Sequence, residues 1–192
     1  MNLAEVLFGR TRPTPSRDEQ LIALSSAAIS LDAKLGLRPT GSAGIVIRPI
    51  ASAAFERAEA QLAGLLEIAG RETGSRITTR ADGYGYRWIV IADDELADLV
   101  ATAYTVSLDL RDAGFGDQVL AAAFAFRAPD GTRLHWLYNF KRAAFYPFAP
   151  EEDGERRDNA RELQASAAMT GELPIESDVT RWYPMWGMPL DG

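Results

Sequence analysis

His135 is the single histidine of a 192-residue chain that contains no cysteine, and those two facts govern most of the chemistry open to it. Histidine is the side chain whose ordinary titration lies near neutrality, so it is the first place to look for proton transfer at pH 7. A Ser–His–Asp relay needs a hydroxyl and an acid beside the imidazole, and no G-x-S-x-G turn exists to present the hydroxyl. Zinc draws on three or four N, S or O ligands, usually with more than one histidine. Without thiols there are no disulfides, iron–sulfur clusters or thiol nucleophiles. His135 therefore reads as a structural or surface residue, and no catalytic, metal-binding or cofactor-binding residue is expected.

The other residue types that carry chemistry are equally plain. No G-x-x-x-x-G-K-[ST] or G-x-G-x-x-G loop is present. Gly83–Tyr84–Gly85–Tyr86 enters a predicted strand, and Gly114–Phe115–Gly116 follows a predicted helix instead of opening one, so neither cradles a phosphate. Asp93–Asp94–Glu95 suits a helix N-terminus, and Glu151–Glu152–Asp153 a loop. With 27 acidic against 20 basic residues the net charge is −7. Such a surface repels nucleic-acid backbones, so nucleic acid is not an expected partner. No apolar run approaches the length of about 20 residues that a membrane-spanning helix requires, and the first residues lack the basic start of a secretory signal. A cytoplasmic location fits.

What stands out is the interleaving of aromatic and cationic groups in Lys141–Pro150, followed by Arg156–Arg157, as at protein-binding hot spots. The competing reading buries Phe145, Tyr146 and Phe148, while the charges pair with Glu151–Glu155 or Asp158. The segment Arg181–Pro189 adds Trp182 and Trp186, two of the four tryptophans. It is expected to wrap back over its own domain; exposed, it would be a partner anchor. Lys141, Arg142, Phe145, Tyr146, Arg156, Arg157, Trp182 and Trp186 form the candidate binding surface.

These residues need elements to hold them. Residues 1–15 read as a short amphipathic segment, with Leu3, Val6, Leu7 and Phe8 on a Pro-rich tether. The single domain spans 16–170, and a Pro/Trp-rich tail occupies 171–192. Ser16 and Glu19 have capping-box spacing for a helix starting near Asp18. That helix continues through Leu21, Leu24, Ala28 and Leu31, although Ile29, Leu31 and Ala33 also fit a strand. Gly36, Pro39 and Gly41 mark a loop before a strand at Gly44–Pro49. Ser52–Ala69 and Asp93–Ala113 carry period-3.6 apolar stripes. Arg76–Arg80 and Tyr84–Ala92 flank Asp82–Gly83 as a hairpin. Asp117–Arg127, Thr132–Phe140 and Ala143–Phe148 read as three further strands, and Arg156–Met169 as the last helix. The order α-β-α-β-β-α-β-β-β-α is that of an α+β domain, an antiparallel sheet with helices on one face; ferredoxin-like packing is the alternative.

Across these elements the chain resembles a known family. LFGRTRP at 7–13, GLRPTGSAGI at 36–45, DGYGYRW at 82–88, DAGFGDQVL at 112–120, KRAAFYPFAP at 141–150, ERRDNARELQ at 155–164 and GELPIESDVTRWYPMWG at 171–187 are similar to the PspA-associated PspAB family of phage-shock-type envelope-stress systems. The resemblance implies a small non-enzymatic accessory or adaptor working beside PspA, a membrane-binding coiled-coil protein. Expected partners are a PspA-like protein or a membrane protease, with peripheral membrane association through the N-terminal segment. The fold is more loosely similar to secretion-chaperone and YbjN-like domains, which bind protein segments. Two rival readings stand beside it. One is an enzyme binding a small molecule or nucleotide through Tyr84, Tyr86, Lys141, Arg142 and Arg157, since arginine forks suit carboxylate and phosphate. The other is a secretion-type peptide-binding chaperone.

Overall fold

A computed structural model describes residues 19–50, 57, 64, 74–151 and 155–190. The amphipathic N-terminal segment, the capping residue Ser16 and all but Arg57 and Gly64 of the Ser52–Ala69 helix lie outside the described residues.

Six strands form one sheet: β1 (Arg38–Ile47), β2 (Arg76–Ala81), β3 (Arg87–Ala92), β4 (Val119–Arg127), β5 (Arg133–Asn139) and β6 (Ala144–Phe148). Their spatial order is β2-β3-β1-β4-β5-β6, and every neighbouring pair is antiparallel. Strands β1 to β4 take the order β2-β3-β1-β4 with antiparallel neighbours, which is the strand arrangement of ferredoxin-like packing, and β5 and β6 extend the sheet beyond β4. Among the described residues the continuous helices are α1 (Ala23–Ser26, entered through a 3₁₀ turn at Glu19–Ile22), α2 (Ala28–Leu35), α3 (Leu96–Asp112) and α4 (Asn159–Met169). All four contribute to a single apolar layer on one face of the sheet. The chain is an α+β domain of the expected kind.

Local signals account for most element ends. Asp82 closes the β2–β3 loop, accepting from the backbone N–H of Tyr84 and Tyr86 through Oδ1 at 2.9 Å each, while its Oδ2 accepts from Trp88 Nε1 at 2.9 Å. The α3 stripe expected from sequence, Leu96, Leu99, Ala103, Val106 and Leu110, is buried throughout. The helix begins at Leu96 and not at Asp93, because Asp93 Oδ1 accepts from the Glu95 N–H at 2.9 Å in a turn ahead of it. It ends where Gly114 takes φ +86° and the Phe115 N–H returns to the Leu110 carbonyl. Asp158 caps α4 by accepting from the Arg161 N–H at 2.9 Å, which moves its start from Arg156 to Asn159.

Two segments depart from the simplest reading. Residues 28–35 are helical: Leu31 is buried while Ile29 is 83% exposed, so Ile29 belongs to no buried face. The stretch around Pro39 and Gly41 is strand, not loop. The β1–β4 register shifts between Pro39↔Phe126 and Ala43↔Phe124, so a bulge absorbs the extra residues and Gly41 takes φ +79° there.

The sheet has two unlike faces. Toward the helices β4 sends Ala122, Phe124 and Phe126, and β5 sends Leu134, Trp136 and Tyr138. On the opposite face β4 presents Ala121, Ala123 and Ala125, with Leu120 packed against the same layer, and β1 presents Gly44 beside Val46. Trp88 and Val90 rise on one side of this shallow channel, Leu137, Tyr146 and Phe148 on the other. The C-terminal segment fills it with Trp182, Met185, Trp186, Met188 and Leu190. Gly44 is where the two layers come closest: a β-carbon there would stand 2.8 Å from the Leu190 side chain and 3.2 Å from the Trp88 ring. Burial on both faces is what makes β4 an almost continuous apolar run.

Candidate functional site

The candidate surface centres on β6 and the segments that bracket it. β6 is an edge strand, and edge strands need cover. The C-terminal segment supplies it: the Phe145 N–H donates to the Pro174 carbonyl at 2.7 Å and the Glu176 N–H to the Phe145 carbonyl at 2.8 Å. Alternation along β6 then divides its aromatics. Phe145 enters the helix-side core, while Tyr146 and Phe148 enter the second.

Of the eight candidates, Phe145, Tyr146 and Trp182 are buried and offer no contact area of their own. The Tyr146 hydroxyl donates to the Tyr183 carbonyl at 3.1 Å, and burial pushes its phenol well above the ordinary value. Trp182 Nε1 donates to the Glu176 carbonyl at 2.9 Å. Trp186 stays partly exposed, its ring edge-on to Phe148 with centroids 5.0 Å apart. Lys141, Arg142 and Arg156 are exposed. Arg156 pairs with Glu151 at 3.0 Å, in line with the salt network read from sequence, whereas Arg142 reaches outside that network to Glu176 at 3.6 Å.

Arg157 behaves differently. Its Nε lies 2.9 Å from both carboxylate oxygens of Glu162, and Nη2 lies 2.8 Å from Oε2. Nη1 donates to the Trp182 carbonyl at 2.7 Å, and the guanidinium stands 5.6 Å from the centre of the Phe148 ring. Glu162 is 1% exposed and also accepts from the Ala149 N–H at 2.9 Å. One guanidinium thus fastens the end of β6, the first turn of α4 and the C-terminal segment together. Sequence reasoning placed Arg157 on the candidate surface and missed Glu162 and Glu176, because a glutamate in a helix or a loop ordinarily reads as solvated.

The rival anion site does not assemble. Arg142 lies in the turn before β6 and Arg157 beyond its other end, and a five-residue strand spans roughly 17 Å at about 3.3 Å per residue. Each arginine already faces its own glutamate, and the Tyr84 hydroxyl meets Glu155, which raises the phenol's pKa. His135 is fully buried on the second face, its ring 6.2 Å from that of Phe148. Among the described residues no three His, Asp or Glu side chains gather as a metal-ligand set, and no helix is long and apolar enough to cross a membrane.

The arrangement is thus a rigid, aromatic-backed edge carrying exposed cations. No curated protein and no solved structure is significantly similar to the chain. A family model described as PspAB, PspA associated protein B, matches residues 1–190, so the chain belongs to the PspA associated protein B family.

Proposed function

We propose that this chain is a non-enzymatic accessory of a PspA-type membrane-stress response and acts by binding a protein partner. Family membership over nearly the whole chain carries the reading, since the family's name points to an association with PspA. The geometry supports it in kind. Lys141, Arg142, Arg156 and Trp186 would meet the partner, while Phe145, Tyr146, Arg157 and Trp182 hold that edge in place from behind. Outward cations on a rigid apolar backing suit electrostatically guided protein recognition. The partner is a PspA-like protein or a membrane protease, and the site of action is the cytoplasm. The N-terminal segment, through Leu3, Leu7 and Phe8, would bring the protein to the inner face of the membrane.

The test is affinity purification of the tagged chain from cells under envelope stress. A PspA-family protein should be enriched, and enrichment should fall when Arg142 and Arg156 are replaced by glutamate. Failure to enrich any PspA-family protein from stressed cells would sink the reading.

A further inference from the structure

The two edges of the sheet are finished differently. The outer edge of β6 is covered by the chain's own Pro174 and Glu176. At the other end β2 pairs with β3 alone, and among the described residues no segment pairs with its outer edge. Five of its six residues, Arg76 and Thr78 through Ala81, are exposed. An open edge offers a row of unsatisfied N–H and C=O groups to an extended chain. β2 also lacks the backbone devices that spoil such an edge: it has no proline, and its register with β3 runs unbroken over six pairs.

Alternation sorts the side chains of this strand. Arg76, Thr78 and Arg80 stand opposite Ala92, Val90 and Trp88, and the latter two belong to the layer under the C-terminal segment. Ile77 and Thr79 stand opposite Ile91 and Ile89 on the helix side, where Ile77 packs half-buried against the core. The two arginines therefore project from one face, about 13–14 Å apart at about 3.4 Å per residue. Among the described residues no acid stands within ion-pair reach of either, in a chain of net charge −7. Those charges also decide what can pair here. Two copies joined antiparallel about Thr78 would each set Arg76 opposite the other copy's Arg80, and like charges directly opposite destabilise a sheet. A strand with acids at those positions meets attraction in place of repulsion.

We infer that the open edge of β2 takes up an extended, acidic segment of a partner protein as a seventh strand. Main-chain pairing holds the segment, and its side chains select it. It carries carboxylates at i and i+4 that face Arg76 and Arg80, with a β-branched residue at i+2 beside Thr78. On its other face the residue beside Ile77 is apolar and continues the helix-side layer. Arginine forks, fixed and planar, are suited to the carboxylates. A helix is the wrong occupant, because its own N–H and C=O groups are already paired along its length. The inference rests on the protein-binding reading above and names a second contact for it, at the opposite end of the sheet from β6.

The test titrates the full chain, ¹⁵N-labelled, with synthetic threonine/valine peptides that carry glutamate, or in a control lysine, at i and i+4. Two further peptides repeat the glutamate sequence with the backbone N-methylated at its odd or at its even residues. The glutamate peptide should bind at least tenfold more tightly than the lysine one, shift the amide signals of residues 76–81 and slow their exchange. One pattern of N-methylation, the one facing β2, should abolish binding, and the other should spare it. R76E/R80E should reverse the preference toward lysine without changing the unfolding temperature, since both side chains are exposed. Equal binding of both N-methylated peptides would overturn the inference, because no strand pairing would then be involved. So would β2 amides already protected from exchange before peptide is added; sedimentation as a dimer would then assign the edge to a second copy. Co-purification separates the two proposals: a PspA-family protein retained in full by R76E/R80E refutes this edge and leaves the accessory role standing. Peptide capture at β2 without PspA enrichment does the reverse.

Discussion

Replacing Arg157 with methionine should cost this fold far more than the loss of a surface charge. Glu162 is 1% exposed, and among the described residues its carboxylate is held by Arg157 and the Ala149 N–H. Removing one member of a buried pair strands the other charge, at a cost of about 3–5 kcal/mol. For a domain of this length each kcal/mol moves Tm by about 2–4 °C, so R157M should unfold roughly 6–20 °C lower. The Trp182 carbonyl loses its donor in the same variant, so protease cleavage of the C-terminal segment should also accelerate. The decisive measurement is a double-mutant cycle by urea unfolding with R157M, E162L and the pair. If the two groups matter chiefly to each other, the double variant should recover at least about 2 kcal/mol relative to the sum of the singles. Recovery will be incomplete, because the Ala149 N–H then lacks its acceptor, at about 1–3 kcal/mol. A loss below about 1 kcal/mol in R157M, with additive singles, would show the pair behaving as a surface ion pair and would refute the reasoning.

Two other expectations concern the layers around this knot. G44A forces the new methyl against Leu190, Trp88 and the Ile89 carbonyl; overpacking of that kind costs about 1–3 kcal/mol, and hydrogen exchange should quicken along residues 182–190 before it does in α3. Asp130 has its carboxyl held down to about 2 by the Thr132 N–H and hydroxyl and by Arg161. A depressed carboxyl contributes stability that is present above its unfolded value near 3.8 and is lost as pH falls through about 2. Carboxyl-carbon NMR should therefore find Asp130 still ionised at pH 3, and Arg161→Met should raise its titration midpoint.

Much of this was legible in the sequence where a single element carried its own signals. The β2–β3 hairpin was marked by Asp82–Gly83, and α3 by five apolar residues at helical spacing with a glycine stop. The short helix at 28–35 was ambiguous because eight residues hold only about two turns, too few to separate period 3.6 from period 2 at Ile29, Leu31 and Ala33. The bulge at Pro39–Ala43 read as a loop because proline and glycine mark both. Features depending on two distant segments left almost no trace. Nothing local says that Glu162 is buried or that Glu176 lies against Arg142. Some pairings were visible: Arg127 and Arg133 lie three residues either side of Asp130, so a hairpin turning there sets them opposite each other. That Arg38 faces Arg127 follows only once the strand order is known.

The unequal faces of β4 also bear on how the molecule is made. The helix-side layer draws on residues up to Leu173, with Ile175 packed against it, but the layer over Ala121, Ala123 and Ala125 comes from Trp182 to Leu190, synthesised after all six strands. Translation proceeds at about 5–20 residues per second. The 42 residues from Phe148 to Leu190 therefore follow the last strand by about 2–8 s. During that interval Trp88, Leu137 and Phe148 lack the cover that Trp182, Met185, Trp186, Met188 and Leu190 give them in the finished fold. A ribosome stalled in this window would hold the sheet with that apolar face still lacking these residues, so the second layer is the later of the two to close.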